Sequence, residues 1–384
     1  MPGFELIGDE ERAAVNELFD DGGILFRHGW DAQRKGRYRV LEFERAFAEY
    51  CGVKHGVGLD NGTNALFLAL KAFGIPPGSE VITVPNTAVA TVAAIVAAGA
   101  SPRFVDIDPA SYLMNVQLLE DAITPRTACI APVHLFGQCV PMSHVRRIAT
   151  RHDIRVLEDA SQSHGATVDG QKCGSMSDIA AFSLYPTKPL GAYGDAGIAL
   201  TNGDELNARL RRLRFYGMEG VAAGQGGSAT LVYSALENGH NSRLDEVQAA
   251  ILLVKLRALD RDIARRREIA ARYEQALKGT SLVLPRTLPA HTHAFYLYVC
   301  RHPDRDRILS EMAARDIWLN VSYPSPLHLM PAYRNLGYAQ GDFPQAELAA
   351  REIFSLPMYP SLTEAQQESV CRALGQVLAE AVYV

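Results

Sequence analysis

The sequence predicts an α/β protein: a large domain on a mostly parallel, helix-covered sheet, followed by a smaller C-terminal α+β domain. Three observations carry this. From residue 55 to about residue 201, short apolar runs alternate with helical patterns, the mark of strands buried on both faces by crossover helices. From Leu244 a helical pattern rich in Arg, Leu and Ala runs to about Leu277, and the character of the chain then changes. Finally, 384 residues are more than one simple core usually holds. The division falls near residue 255, inside the long helix, giving a large, ligand-binding domain at 1–255 and a small C-terminal domain at 256–384.

The strand-like runs are GVGLD (56–60), EVITV (80–84), PRFVDI (102–107), CIAPVHL (129–135), IRVLEDA (154–160), DIAAFSLY (178–185) and GIALT (197–201). Between several of them, apolar residues recur at helical spacing in NALFLALKAF (64–73), AVATVAAIVAAGA (88–100) and MSHVRRIATRH (142–152). Beyond the long helix, HAFYLYVC (293–300) and IWLNVSY (317–323) read as strands, and 304–315, 344–354 and 363–380 as helices. The Gly- and Ser-rich stretch 221–239 reads as a flap.

Composition narrows the function. A net charge of −5 leaves no basic excess for a nucleic acid or an acidic membrane. The local exception is RHGWDAQRKGRYR (27–39), a solvated strip or a dock for an anionic substrate. The six cysteines, at 51, 129, 139, 173, 300 and 371, form no C-x-x-C pair and read as buried or free thiols in a reducing compartment. The N-terminus lacks an apolar signal core and no run has the length of a membrane span, so a cytoplasmic protein is expected. His291 and His293 have no acid or cysteine partner nearby in sequence, and no metal is expected.

In an open α/β sheet, ligands bind beyond the carboxyl ends of the strands, and three features fall there. In LDNGTNAL, Gly62, Thr63 and Asn64 open a helix, where free N–H groups and a hydroxyl suit a phosphate; Thr63 also reads as a plain helix N-cap. No G-x-G-x-x-G or G-x-x-x-x-G-K-[ST] is present, which disfavours dinucleotides and nucleoside triphosphates. VLEDASQSHG ends a strand with Glu158 and Asp159, whose side chains point to opposite faces by alternation. FSLYPTKPLGAYGDAG places Lys188 between Pro186 and Pro189, before Gly191, Gly194 and Gly197 and five residues after Ser183. A phosphate cradle, a carboxylate for a pyridine nitrogen and a confined amine together point to pyridoxal 5′-phosphate.

The motifs NGTNALFLAL, PVHLFGQ, EDASQSHGA, FSLYPTKPLGAYGDAG, GHNSRLDEVQAAIL, YPSPLHLMPAY and SLPMYPSLTEAQ, in this order, resemble the DegT/DnrJ/StrS family of sugar aminotransferases, which are fold-type I pyridoxal-phosphate enzymes. The resemblance runs from about Phe43 to the C-terminus. It implies Lys188 as the Schiff-base lysine, Asp159 as partner of the pyridine nitrogen and Gln162 near the cofactor hydroxyl. Gly62, Thr63, Asn64 and Ser183 are implied to hold the phosphate, with Asn241 completing the cradle from the other subunit of a homodimer. Arg243, Tyr323 and His328 are implied to line the sugar pocket, although Arg243 and Asp245 also read as a helix-start charge pair.

Two departures concern the pocket. Ala88 of PNTAVAT stands where relatives often carry an aromatic residue, and Ser322 precedes Tyr323 where many have histidine. The implied reaction moves an amino group from L-glutamate or glutamine to a ketosugar, with pyridoxamine 5′-phosphate as the intermediate form. A nucleotide-linked 3-keto-6-deoxyhexose is the leading substrate, and NSRLDE favours it. The first 39 residues look more like enzymes of keto-octulosonates, so a longer or cyclitol ketosugar is the alternative. A pyridoxamine-phosphate-dependent dehydratase is disfavoured by Lys188 itself. A non-catalytic regulatory protein of the same fold is disfavoured by the full set of Lys188, Asp159 and Ser183.

Overall fold

The computed structural model describes residues 8–20, 36–218 and 234–380. Residues 27–35 of the basic strip and 221–233 of the expected flap lie outside the described residues. Seven strands form the main sheet: β1 (His55–Leu59), β2 (Glu80–Thr83), β3 (Ser101–Phe104), β4 (Thr127–Ile130), β5 (Arg155–Asp159), β8 (Ile179–Ser183) and β9 (Gly197–Thr201), in the order β1-β9-β8-β5-β4-β2-β3. The seven runs expected from the sequence supply these seven strands. Pairing is parallel from β8 through β5, β4 and β2 to β3, while β9 is antiparallel to both of its neighbours.

Alternation along the strands feeds two apolar layers. Leu157, Ile179 and Ala181 face one, with Leu66 and Ile95 from α3 (Gly62–Phe73) and α4 (Val89–Ala97). Val156, Ala180 and Phe182 face the other, with Phe43 and Phe47 of α2 (Arg39–Cys51) and Val145 of α5 (Met142–Arg151). Helix α1 spans Asp9–Asp20 and α6 Asp204–Leu213. The short strands β6 (Thr167–Val168), β7 (Gln171–Lys172) and β10 (His291–Thr292) make a separate three-stranded sheet.

Helix α7 runs unbroken over 32 residues, Glu246–Leu277, about 48 Å at 1.5 Å per residue. Asp245 caps it by accepting the Gln248 N–H at 2.8 Å. Its first half packs Ala249, Leu252 and Ile263 into the large core, and its second half packs Ile269, Tyr273 and Leu277 into a separate C-terminal core. That second core is built on β11 (Tyr298–Arg301) and β12 (Ile353–Leu356), with α8 (Arg305–Ala313) and α10 (Glu364–Glu380) around them, while α9 (Pro344–Glu352) packs Ala346 and Ala349 into the large core. Two contacts lock the small unit to the sheet edge: the Asp106 carboxylate accepts the Gln345 and Ala346 N–H groups at the start of α9, each at 2.9 Å, and the Leu327 N–H donates to the Pro85 carbonyl at 2.9 Å.

Three sequence expectations are corrected. Residues 317–323 do not form a strand: Asn320 makes an isolated bridge to Ser355 and the chain then breaks from extended geometry, with φ 64° at Tyr323. The strand partner of β11 is instead Ile353–Leu356, where β-branched and aromatic side chains override the end of a helical pattern. Cys139 and Cys173 are joined in a disulfide, with Cα atoms 6.0 Å apart, because folding brings together two loops 34 residues apart in sequence; Cys51, Cys129, Cys300 and Cys371 are free. Among the described residues, no helix is long and apolar enough to cross a membrane.

Candidate active site

The site grows from the carboxyl edge of β1, β5 and β8. At the end of β1 the chain turns into α3, and the cap is Asn61, not Thr63: the Asn61 side chain accepts the Asn64 N–H at 2.8 Å. An asparagine in extended geometry just before the first turn satisfies that amide, while Gly62 and Thr63, inside the turn, keep N–H groups that have no acceptor within the helix. Ser183, at the end of β8, packs directly on this turn. A Cβ on Gly62 would lie 2.6 Å from the Ser183 Cβ and 2.8 Å from its Cα, so only glycine allows the approach. A Cβ on Gly197 would lie 2.4 Å from the Asn61 carbonyl. Asn64 is engaged within the turn, donating its side-chain amide to both oxygens of Asp60 at 2.9 and 3.0 Å. Ser242 donates to Asp60 as well, at 2.5 Å.

Glu158 and Asp159 do face opposite ways. Glu158 is fully buried and accepts from His134 Nε2, the Gly174 and Met176 N–H groups and Ser177 Oγ, each at 2.8 Å. His134 Nδ1 accepts the Val140 N–H, which places the ring hydrogen on Nε2. Burial pushes the Glu158 carboxyl up, but His134 and the other donors outweigh it and hold it below the usual carboxylate range. It braces the strand end from beneath. Asp159 faces α4: Oδ2 accepts from Thr91 Oγ1 at 2.8 Å, and Oδ1 accepts the Ser161 N–H at 3.2 Å. Ser161 Oγ in turn accepts the Ser183 N–H at 3.2 Å, tying the carboxylate turn to the cradle.

Lys188 lies in a turn folded tightly on itself, its N–H donating to the Tyr185 carbonyl at 2.8 Å. A Cβ on Gly191 would come within 2.7 Å of the Tyr185 and Pro186 carbonyls. The half-buried amine stands over the Tyr296 ring, 4.8 Å from its centroid. Beneath the turn, His164 is fully buried against Phe47 and Phe182; burial, and then the Lys188 charge, push its imidazole down to about 3, so it is neutral. Gln162 joins distant segments, accepting the Phe136 N–H at 2.9 Å and donating to the Tyr323 hydroxyl at 2.6 Å. The Tyr323 phenol, stacked on Phe136, is raised above its usual range by burial and then by the nearby Tyr296 and Asp159.

Asp159, Gln162, Ser183, Gly62, Thr63, Tyr323 and the Lys188 turn therefore gather at one edge. Other expected residues are placed by different contacts. Asn241 is exposed and bridges Phe215 through the backbone, and Arg243 lies over the Phe215 and Tyr216 rings at 5.3 and 5.8 Å. His328 is buried with Nε2 3.1 Å from Glu347 Oε1 and its ring edge-on to Phe343. Sequence reasoning gave no role to Thr91, Tyr296 or His164. Thr87 and Thr91 share a helical i, i+4 spacing in PNTAVAT that would have pointed to the pair; nothing in the pattern singles out Tyr296.

These residues fit pyridoxal phosphate. The cradle offers amides and a hydroxyl that only a glycine lets come together, the buried carboxylate has a donor on each oxygen and lone pairs to spare, and the amine stands clear of any ion pair among the described residues. Chemistry of this kind belongs to enzymes that transfer amino groups through a bound pyridoxal phosphate, and that is the class of this protein. The chain belongs to the DegT/DnrJ/EryC1/StrS aminotransferase family, whose model matches residues 11–375. It is 47% identical over 379 residues, 96% of each chain, to a dTDP-3-amino-3,4,6-trideoxy-alpha-D-glucose transaminase of Micromonospora megalomicea subsp. nigra. It is 42% identical over 340 residues, 88% of each chain, to a "pleiotropic regulatory protein" of Geobacillus stearothermophilus. Among solved structures, S. venezuelae DesV in complex with a ketimine intermediate superposes with a TM-score of 0.87 at 38% identity, covering 96% of this chain and 94% of that one.

Proposed function

We propose that the protein aminates a nucleotide-linked 3-keto-6-deoxyhexose, with L-glutamate or glutamine as donor, in a cytoplasmic homodimer with shared active sites. The observation that carries the catalytic reading is the meeting of Asp159, Ser183 and the Lys188 turn on the adjacent parallel strands β5 and β8, against the start of α3. The similarity to a transaminase named for a 3-amino-trideoxyhexose supports the substrate class. The large domain, 1–255, holds the cofactor, and the small domain, 256–384, closes on it through Tyr296 and Tyr323.

When bound, pyridoxal phosphate supplies an electron sink and, as pyridoxamine phosphate, carries the amino group between the two half-reactions. The Gly62 and Thr63 amides and the Ser183 hydroxyl hold its phosphate at the positive end of α3. Asp159 holds a proton on the ring nitrogen. Gln162, fixed by Phe136 and Tyr323, sits beside the ring's hydroxyl. Lys188 Nζ would act as the general base that moves a proton between the substrate carbon and C4′ of the cofactor in each half-reaction. Tyr323 can still donate its own hydrogen into the site, since Gln162 occupies only a lone pair of its oxygen. Asn241, exposed on its own chain, completes the partner's cradle, with Arg243 and His328 at the sugar side.

Borohydride reduction of the holoenzyme, followed by peptide mapping, tests the assignment: a pyridoxyl group is expected on Lys188, and one on any other lysine overturns it. Product mass spectrometry over a panel of nucleotide-linked ketosugars and keto-octulosonates, with glutamate or glutamine, tests the substrate. Amination of the octulosonates alone refutes the hexose reading.

A further inference from the structure

The Asp159 carboxylate is the end point of a short, directed chain of buried hydroxyls. Thr91 Oγ1 lies 2.8 Å from Asp159 Oδ2, and Thr87 Oγ1 lies 3.1 Å from Thr91 Oγ1. Both threonines are almost fully buried, at 1% and 2% exposure. A hydroxyl has one hydrogen, and an ionised carboxylate only accepts. Thr91 therefore donates to Asp159, and its own oxygen accepts from Thr87. Thr91 lies in the first turn of α4, and its N–H donates to the Ala88 carbonyl at 3.1 Å, so the helix start fixes where the hydroxyl points. The Ser161 N–H holds the other carboxylate oxygen. With one donor on each oxygen, the plane of the carboxylate is set before any ligand arrives.

We infer that Thr91, aligned by Thr87, is a positioning residue for the reaction: it fixes the plane of the Asp159 carboxylate, so that its charge stays directed at the cofactor's ring nitrogen and keeps the proton there. The inference rests on the functional reading above. A carboxylate stripped of this donor is free to rotate away from the nitrogen. Hydrogen bonds to charged groups contribute enough that losing one slows a step depending on it by about 10- to 100-fold.

The test uses holoenzyme loaded with pyridoxal phosphate labelled with 15N in the ring, in wild type, Thr91→Val, Thr91→Ser and Thr87→Val. The expected result is a ring-nitrogen chemical shift that moves towards the unprotonated value in Thr91→Val. It moves less, in the same direction, in Thr87→Val, and stays near wild type in Thr91→Ser. In parallel, the single-turnover rate with glutamate falls about 10- to 100-fold in Thr91→Val while KM stays within about twofold, because the donor acts on the ring and not on substrate binding. An unmoved nitrogen signal in a folded, loaded Thr91→Val protein overturns the inference. If that variant does not fold, an unmoved signal in Thr87→Val overturns it instead. Failure of wild-type protein to take up the cofactor at all would strike the functional reading, a distinguishable outcome.

Discussion

Replacing Glu158 by glutamine keeps shape and removes charge, and the structure lets the consequence be worked atom by atom. Oε2 accepts from His134 Nε2 and the Gly174 N–H, and Oε1 from the Met176 N–H and Ser177 Oγ. A glutamine amide set towards His134 and Gly174 meets two donors, and His134 cannot switch tautomer without turning a hydrogen on Nδ1 towards the Val140 N–H. Flipped the other way, the amide meets the Met176 N–H, while Ser177 can rotate to accept. At least one buried donor is orphaned, at about 1–3 kcal/mol, and the charge-assisted character of the remaining bonds is lost. The total expected cost is about 3–5 kcal/mol, typical of breaking a buried charged cluster. The assay is urea denaturation of the cofactor-free protein, read by fluorescence and circular dichroism, so that cofactor binding does not enter. The pH dependence has a definite sign. The Glu158 carboxyl is held below its ordinary value in the folded state. Its stabilisation is therefore fully present above the unfolded carboxylate value of about 4.3 and is lost as pH falls through the folded one. The gap between wild type and Glu158→Gln should be widest near neutrality and close in strong acid. A destabilisation below about 1 kcal/mol at neutral pH, or a gap that widens on acidification, would refute the claim that an ionised Glu158 braces this strand.

Asp159→Asn should leave the cofactor bound but slow the glutamate half-reaction by about 10²- to 10³-fold, since an amide supplies no charge opposite the ring nitrogen; near-normal single-turnover kinetics would count against it. Gly62→Ala should weaken phosphate anchoring, because the new methyl must displace backbone at Ser183. Overpacking of about 1–3 kcal/mol exceeds the roughly 0.5–1 kcal/mol that alanine gains in a helix, so equilibrium dialysis should show weaker binding of pyridoxamine phosphate, and unchanged affinity would refute the close packing. Mixing Lys188→Ala with Asn241→Ala subunits should restore activity if the two residues belong to sites shared between chains, as one site of each heterodimer is then intact. No recovery after verified subunit exchange would place Asn241 within its own chain's site or outside it.

Local pattern was enough for the main sheet and for the frame of the site. Each of its seven strands is a short apolar run, and burial on both faces makes such runs hard to mistake. The opposite orientation of Glu158 and Asp159 follows from the two-residue period of a strand. The crowding of glycines after Lys188 also had a cause that the structure makes explicit: Gly191 and Gly197 sit where backbone of Tyr185, Pro186 and Asn61 leaves no space for a Cβ.

What tertiary structure alone decided are the contacts between segments distant in the chain. A helix-start amide cap could have come from Thr63 by type, and comes from Asn61 because that residue is the one in extended geometry before the turn. Residues 317–323 have strand composition, yet only Asn320 pairs, with Ser355 of β12, before the chain leaves extended geometry at Tyr323. The Cys139–Cys173 link, Tyr296 beneath the Lys188 amine and Thr91 on Asp159 join positions 34, 108 and 68 residues apart. No period or spacing encodes such pairs. They exist because the sheet order brings β5 and β8 side by side, lays α4 on one face of that edge and lets α7 run from the large core to the C-terminal core.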